Sequence, residues 1–118
     1  MGLARTRVVV KSLETGASRE VELVVDMGSV FTWICRGVLE ELGVRPRRVR
    51  RFRTIDGRVV AREVGVATIV YEGCEGDVEV MFAEKGDAEV LGVTALETLG
   101  LEVDPVTGKL KYVRHLAL

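Results

Sequence analysis

Asp26, followed directly by Met27, Gly28 and Ser29, is the residue of this chain best placed for acid–base chemistry. The apolar run Val21, Leu23, Val24 and Val25 precedes it and reads as a buried strand. Gly28 permits a tight turn just past the acid, and Ser29 lies near enough to hydrogen-bond it, so the carboxylate is held at a strand end rather than left to solvent. Hydrolysing an amide without a nucleophilic side chain needs a water made reactive and a carbonyl oxygen protonated. Two facing carboxylates that share one proton do both, because like charges that close cannot both ionise. The other aspartates have plainer roles: Asp56 in a turn, Asp77 and Asp87 in loops, Asp104 before Pro105. If Asp26 works in this way, its partner is Asp26 of a second copy, on a two-fold axis.

The elements around Asp26 read mostly as strands. Arg7 to Lys11 and Arg19 to Val25 form an opening hairpin across Glu14-Thr15-Gly16. Val30 to Ile34 reads as a short strand, and Arg36 to Leu42 as a short helix stopped by Gly43. Asp56-Gly57 marks a two-residue hairpin turn between Arg51–Ile55 and Arg58–Arg62. A second hairpin joins Val64–Tyr71 to Asp77–Phe82 across Glu72 to Gly76, followed by the polar loop Glu84 to Asp87. Val90-Leu91-Gly92 then opens onto a helix ending at Leu99, capped by Gly100, and Leu101–Val103 with Lys109–Val113 make a closing hairpin.

The succession of Asp26-Met27-Gly28-Ser29, the hairpin tip Thr54-Ile55-Asp56-Gly57, Val90-Leu91-Gly92 and the short helix behind it resembles the retropepsin-like (clan AA) aspartic proteases. Their signature strand ends in Asp-Thr-Gly-Ala or Asp-Thr-Gly-Ser; here Met27 stands in place of the threonine. The resemblance spans roughly residues 5 to 113. The tail from Gly100 to Leu110 is similar to the extra C-terminal hairpin of cellular members, such as the protease-like domain of the DNA-damage-inducible proteins. The resemblance implies a mainly β, closed β-barrel-like acid-protease fold with one or two short helices, homodimeric, as a single domain over residues 1–118. It implies Asp26 as the catalytic acid, with Met27, Gly28, Ser29, Val90, Leu91 and Gly92 supporting its loop. Thr54, Ile55, Asp56 and Gly57 become the tip of a flap over an extended peptide or protein substrate. No cofactor and no metal are implied. A serine at position 29 is expected to donate to the acid and favour its ionised form. The family's threonine hydrogen-bonds across the dimer axis, which Met27 cannot do. A buried N–H opposite is then left unpaired at a cost of ~1–3 kcal/mol per side, while the flexible thioether fills the gap apolarly. The expected function is aspartic endopeptidase; the alternative is a catalytically impaired dimer that binds peptide or nucleic acid.

Composition narrows the partners. A chain of 118 residues, 47% apolar, suits one core. A net charge of -1 makes it no general polycation, and no apolar stretch approaches the ~20 residues of a membrane span. Met1 to Lys11 lacks a secretory pattern, so the expected location is the cytoplasm. Cys35 and Cys74 read as buried small apolar residues, Phe31 and Trp33 as core, and His115 supports neither a triad nor a metal site. Neither Asn nor Gln occurs, a composition expected of a thermophile. Arg45, Arg47, Arg48, Arg50, Arg51 and Arg53 form the one strong local charge. It suits phosphates, acidic peptides, or glutamates of the chain's own surface, and the last reading is preferred over nucleic acid.

Overall fold

The computed structural model describes residues 4–113, so His115 lies outside them. β1 (Arg5–Lys11) and β2 (Ser18–Val25) pair antiparallel, with Val8 opposite Val21. Alternation turns Val8, Val10, Leu23 and Val25 inward, and the Ser12 hydroxyl accepts the Glu14 and Thr15 amides to set the turn. Asp26 is the first residue beyond β2. β3 (Thr32–Cys35) runs into α1 (Arg36–Leu42), which buries Leu39 and Leu42. The helix stops at Gly43, φ 84°, and Thr15 Oγ1 donates to the otherwise open Leu42 carbonyl.

β4 (Arg48–Arg53) and β5 (Val59–Tyr71) form a hairpin, β5 pairs with β6 (Cys74–Ala83), and β7 (Val90–Leu91) leads into α2 (Val93–Leu99). β8 (Leu101–Val103) and β9 (Leu110–Tyr112) make a separate ribbon, tied down by the Tyr112 hydroxyl donating to the Tyr71 and Glu72 carbonyls. The large sheet has the order β1-β2-β7-β3-β6-β5-β4. Because β1 also pairs with β5, six strands close into a ring and β4 is left outside it. The core fills the ring with Val10, Leu23, Ile34, Ile69, Val80, Phe82 and Leu91, and α2 adds Ala95, Leu96 and Leu99.

Several sequence-based boundaries shift. β3 begins at Thr32 rather than Val30, because the Ser29 and Val30 carbonyls accept amides from α2 and cannot join a ladder. β5 is one strand of 13 residues, not two, and pairs with β4 at one end and β6 along the rest. The two-residue turn with positive φ falls at Glu72-Gly73 (45° and 84°), where Tyr71 faces Cys74. At the other hairpin the turn runs over five residues, the Thr54 amide donating to the Arg58 carbonyl with Gly57 at φ 86°. The register explains the exchange: Arg53 faces Val59, which leaves five residues between the strands. Both cysteines are free and only half-buried, the Cys74 thiol donating to the Leu99 carbonyl.

β7, two residues long, is inserted between the strands on either side of Asp26: parallel to β2 (Val24 opposite Val90) and antiparallel to β3 (Trp33 opposite Val90). Gly92 follows it in extended backbone, φ -93°. A Cβ there would lie 2.2 Å from the Phe31 carbonyl oxygen and 2.8 Å from that of Ser29. Both are backbone atoms, so no side-chain rotation relieves the clash. Gly92→Ala is expected to cost ~3 kcal/mol or more and to lower the thermal midpoint on the order of 10 °C. Circular dichroism melting checks it; an unchanged midpoint would mean that the loop and the start of α2 are not packed against each other.

Candidate active site

Asp26 is held from both sides of its loop. Its amide donates to the Leu91 carbonyl (3.1 Å), and its Oδ1 accepts the Gly28 amide (2.9 Å), closing a small turn that the Ser29 amide reinforces by donating to the Asp26 carbonyl (3.1 Å). Further on, the Val93 and Thr94 amides donate to the Ser29 and Val30 carbonyls at 2.8 and 3.0 Å, and Thr94 Oγ1 donates to Val30 as well. Buried Thr32 completes the clamp by accepting the Gly92 amide on its Oγ1 at 3.0 Å. Val90, Leu91 and Gly92 thus meet Asp26, Gly28 and Ser29 in one place. Met27 is 57% exposed at the outer edge of the same loop, beside exposed Val30.

One expected contact is absent. The Ser29 hydroxyl donates to the Phe31 carbonyl at 2.8 Å, not to the Asp26 carboxylate. The loop curls so that this carbonyl, not the carboxylate, receives the hydroxyl's hydrogen bond.

Asp26 borders a shallow cavity of about 250 Å³ shared with Ser29, Trp33, Asp87, Ala88 and Val90. A second of about 260 Å³ adjoins it, walled by Gly28, Val30, Phe31, Trp33 and Phe52. Phe31 and Trp33, expected in the core, are half-buried walls instead. Phe52 packs edge-on to Phe31 (6.0 Å between centroids) and tilted against Trp33 (5.1 Å). Asp87 had no signal in the sequence, since what fixes it is Arg62, 25 residues earlier, whose Nε and Nη2 reach its two carboxylate oxygens at 2.6 and 2.9 Å. That bond to Arg62, helped by the Glu84 amide, holds the Asp87 carboxyl below its usual range against the opposing effect of burial. Asp87 is an ionised wall of the cavity, not a proton donor. Asp26 has no ion-pair partner among the described residues.

The tip residues Thr54, Ile55, Asp56 and Gly57 project beyond β4 and β5, with Ile55 fully exposed and the Thr54 hydroxyl donating to the Asp56 carboxylate. Of the arginine run, Arg48 and Arg50 both bond Glu79 on β6, and Arg50 also lies 4.6 Å above the Phe31 ring. Arg45, Arg47, Arg51 and Arg53 are exposed and have no carboxylate in ion-pair range among the described residues. The surface-glutamate reading therefore holds for two of the six.

A ring of strands with β7 inserted beside a clamped Asp-x-Gly loop is the retropepsin fold. Residues 12–103 match the family model described as aspartyl protease, and the chain belongs to that family. Its fold is similar to that of EIAV protease complexed with the inhibitor HBY-793, with a TM-score of 0.65 and 17% identity over 84% of this chain and 89% of that one. It is also similar to the simian foamy virus (mac) protease in solution, with a TM-score of 0.53 and 20% identity over 78% of this chain and 92% of that one. No curated protein sequence matches the chain.

The Arg62–Asp87 pair gives the acid stability a sign. Asp87 is held below the 3.8 of an ordinary aspartate, so its contribution is present above about pH 3.8 and is lost as pH falls through the lower, folded-state value. With side chains only 17% and 20% exposed, the pair counts for more than a surface bridge. Asp87→Asn is expected to cost ~1–3 kcal/mol at neutral pH, the deficit shrinking in more acid solution as the wild type loses the same interaction. Denaturant titrations across that range measure it; a deficit independent of pH would assign the loss to packing.

Proposed function

We propose that this protein is an aspartic endopeptidase whose site is completed by a second copy, the two Asp26 carboxylates facing each other across a two-fold axis. What supports this reading above all is that Asp26 is the one carboxylate at its cavity free of an ion pair, held by the Gly28 amide, while Asp87 is committed to Arg62. One acid per chain cannot both donate and accept a proton, so the chemistry calls for a homodimer.

In the dimer, the two Asp26 carboxylates share the one proton that the reaction needs. An extended peptide lies beneath the β4–β5 hairpin tip, Thr54 to Gly57, its backbone hydrogen-bonded in strand fashion. The ionised carboxylate takes a proton from water as the oxygen attacks the scissile carbonyl carbon, and the protonated partner gives its proton to the carbonyl oxygen. The tetrahedral diol then collapses: the carboxyl that took the water's proton gives it to the amide nitrogen, the C–N bond breaks, and the other Asp26 takes a proton from a diol hydroxyl as the carbonyl re-forms, leaving a carboxylic acid, an amine and the pair of acids as it began. Met27, Gly28, Ser29, Val90, Leu91 and Gly92 position the acids. No helix among the described residues is long and apolar enough to cross a membrane, and the two free thiols suit a reducing cytoplasm. The lack of Asn and Gln suits a thermophilic source.

Met27 favours a second reading, a dimer that grips peptides without cutting them, because its thioether cannot donate across the axis. Three proteins separate the two readings. The wild type is expected to be dimeric by light scattering and to cleave a broad peptide library in a pepstatin-sensitive way. Asp26→Asn is expected to lose ~10³-fold or more in turnover while unfolding no earlier, since it also removes carboxylate repulsion at the axis. Met27→Thr restores a hydroxyl able to bond the opposing loop, and is expected to raise turnover by on the order of tenfold to a hundredfold through better alignment. A folded, dimeric Met27→Thr protein that remains inert on the library would establish the binding module instead.

A further inference from the structure

The hairpin of β4 and β5 has two unlike faces. Strand alternation directs Phe52 toward Phe31 and Trp33 at the Asp26 loop, and Val49, Arg51 and Arg53 to the opposite side. Their direct partners across the ladder, Glu63, Ala61 and Val59, share that outer face. Glu63 is already bonded to Arg36 at 2.8 Å, whereas Arg51 and Arg53 have no acid in range among the described residues. Val49 and Val59 are 54% and 56% exposed between them. Arg45 and Arg47 lead into the same strand, also exposed and without an acidic partner among the described residues.

β4 is besides the last strand of the large sheet and, among the described residues, pairs with β5 alone. The Thr54 amide donates to the Arg58 carbonyl, and the alternation of an antiparallel ladder carried back from that bond turns the N–H and C=O of Arg53, Arg51 and Val49 away from β5. A strand edge, uncompensated cations and interleaved valines thus occur together, on the side away from the cavity.

We propose that this outer face and open edge of β4 dock an extended polypeptide segment whose outward-facing residues, every second one along a strand, are acidic with an apolar residue in the same row. On the face it shares with β4 the segment's carboxylates would meet Arg51 and Arg53, with Arg45 and Arg47 beyond them; an apolar side chain in the same row would cover Val49; and the segment's backbone would continue the sheet. Charge complementarity selects the partner's sign, and the valines select its class. Single-stranded nucleic acid is held by arginines together with aromatic platforms, and the nearby aromatics, Phe31, Trp33 and Phe52, all face the other way. A second copy of the same edge would set arginine against arginine. The proposal does not depend on Asp26 being catalytic.

The test uses Asp26→Asn protein, so that nothing is cut, titrated with a synthetic peptide Thr-Val-Thr-Glu-Thr-Glu-Thr, which sets Val, Glu and Glu on one face of a strand, while backbone amide NMR spectra are recorded. Shifts are expected at Val49, Arg51, Arg53, Val59 and Ala61, weakening as salt rises. The same peptide with Lys for Glu is expected not to bind. Arg51→Glu combined with Arg53→Glu changes only exposed side chains, and is expected to reduce affinity about tenfold or more while leaving the rest of the spectrum in place. Shifts confined to the Asp26 loop, no shifts at all, or displacement of the peptide by a more tightly bound single-stranded oligonucleotide would overturn the proposal. A wild type that cleaves nothing leaves it standing, so the two readings fail separately.

Discussion

Everything at the candidate site depends on how closely the backbone at Gly92 approaches the carbonyls of Ser29 and Phe31. Helix α2 has no side-chain cap at its first turn, so its leading amides need acceptors from elsewhere. They find them in the Asp26 loop, whose carbonyls in turn would lack donors without the helix. Loop shape and helix start are therefore one interaction. It works only because β7 has been threaded between β2 and β3, bringing Leu91 against the Asp26 amide and Gly92 against Thr32.

Charge plays a different part. Arg36 gathers Glu40, Glu63 and Glu84 around one guanidinium and stacks on Phe82, and the hydrogen bond to Glu84 above all raises its basicity further. Most other pairs are exposed and add little individually. Arg62 with Asp87 stands apart, since it is shielded, doubly bonded and placed at the cavity wall. A sequence rich in arginine and glutamate thus concentrates its ionic stabilisation at the loop from Glu84 to Asp87.

How far this was legible in the sequence follows the range of the forces involved. Strands and helices appeared where alternation, helical spacing and glycine caps act over a few residues, as for β1, β2, α1 and α2. The loop around Asp26, its meeting with Val90 to Gly92 and the fold class followed from the resemblance of these motifs, in their order, to the aspartic proteases. Boundaries failed where a distant partner decides: Val30 lost its strand to the amides of α2, and β5 runs unbroken through Glu63 because that residue faces Val49 while Val64 already faces Met81. The hydroxyl of Ser29 turned to Phe31, a choice between two nearby acceptors that residue type does not make. Trp33 and Phe31 looked like core by composition, yet the loop places them at a cavity. Asp87 looked like a loop residue, and only the fold brings Arg62 to it.

The fork between Arg62 and Asp87 also has a mechanical side. Arg62 lies on β5 directly opposite Arg50, at the root of the long hairpin, and Asp87 forms part of the wall beside Asp26. Arg50 in turn is tethered to Glu79 and rests on Phe31. The hairpin root is thus joined through two arginines, one to each flank of the Asp26 loop. The arm is fixed at its base like a cantilever, its root pinned by two arginines while the five-residue tip projects beyond the last ladder pair.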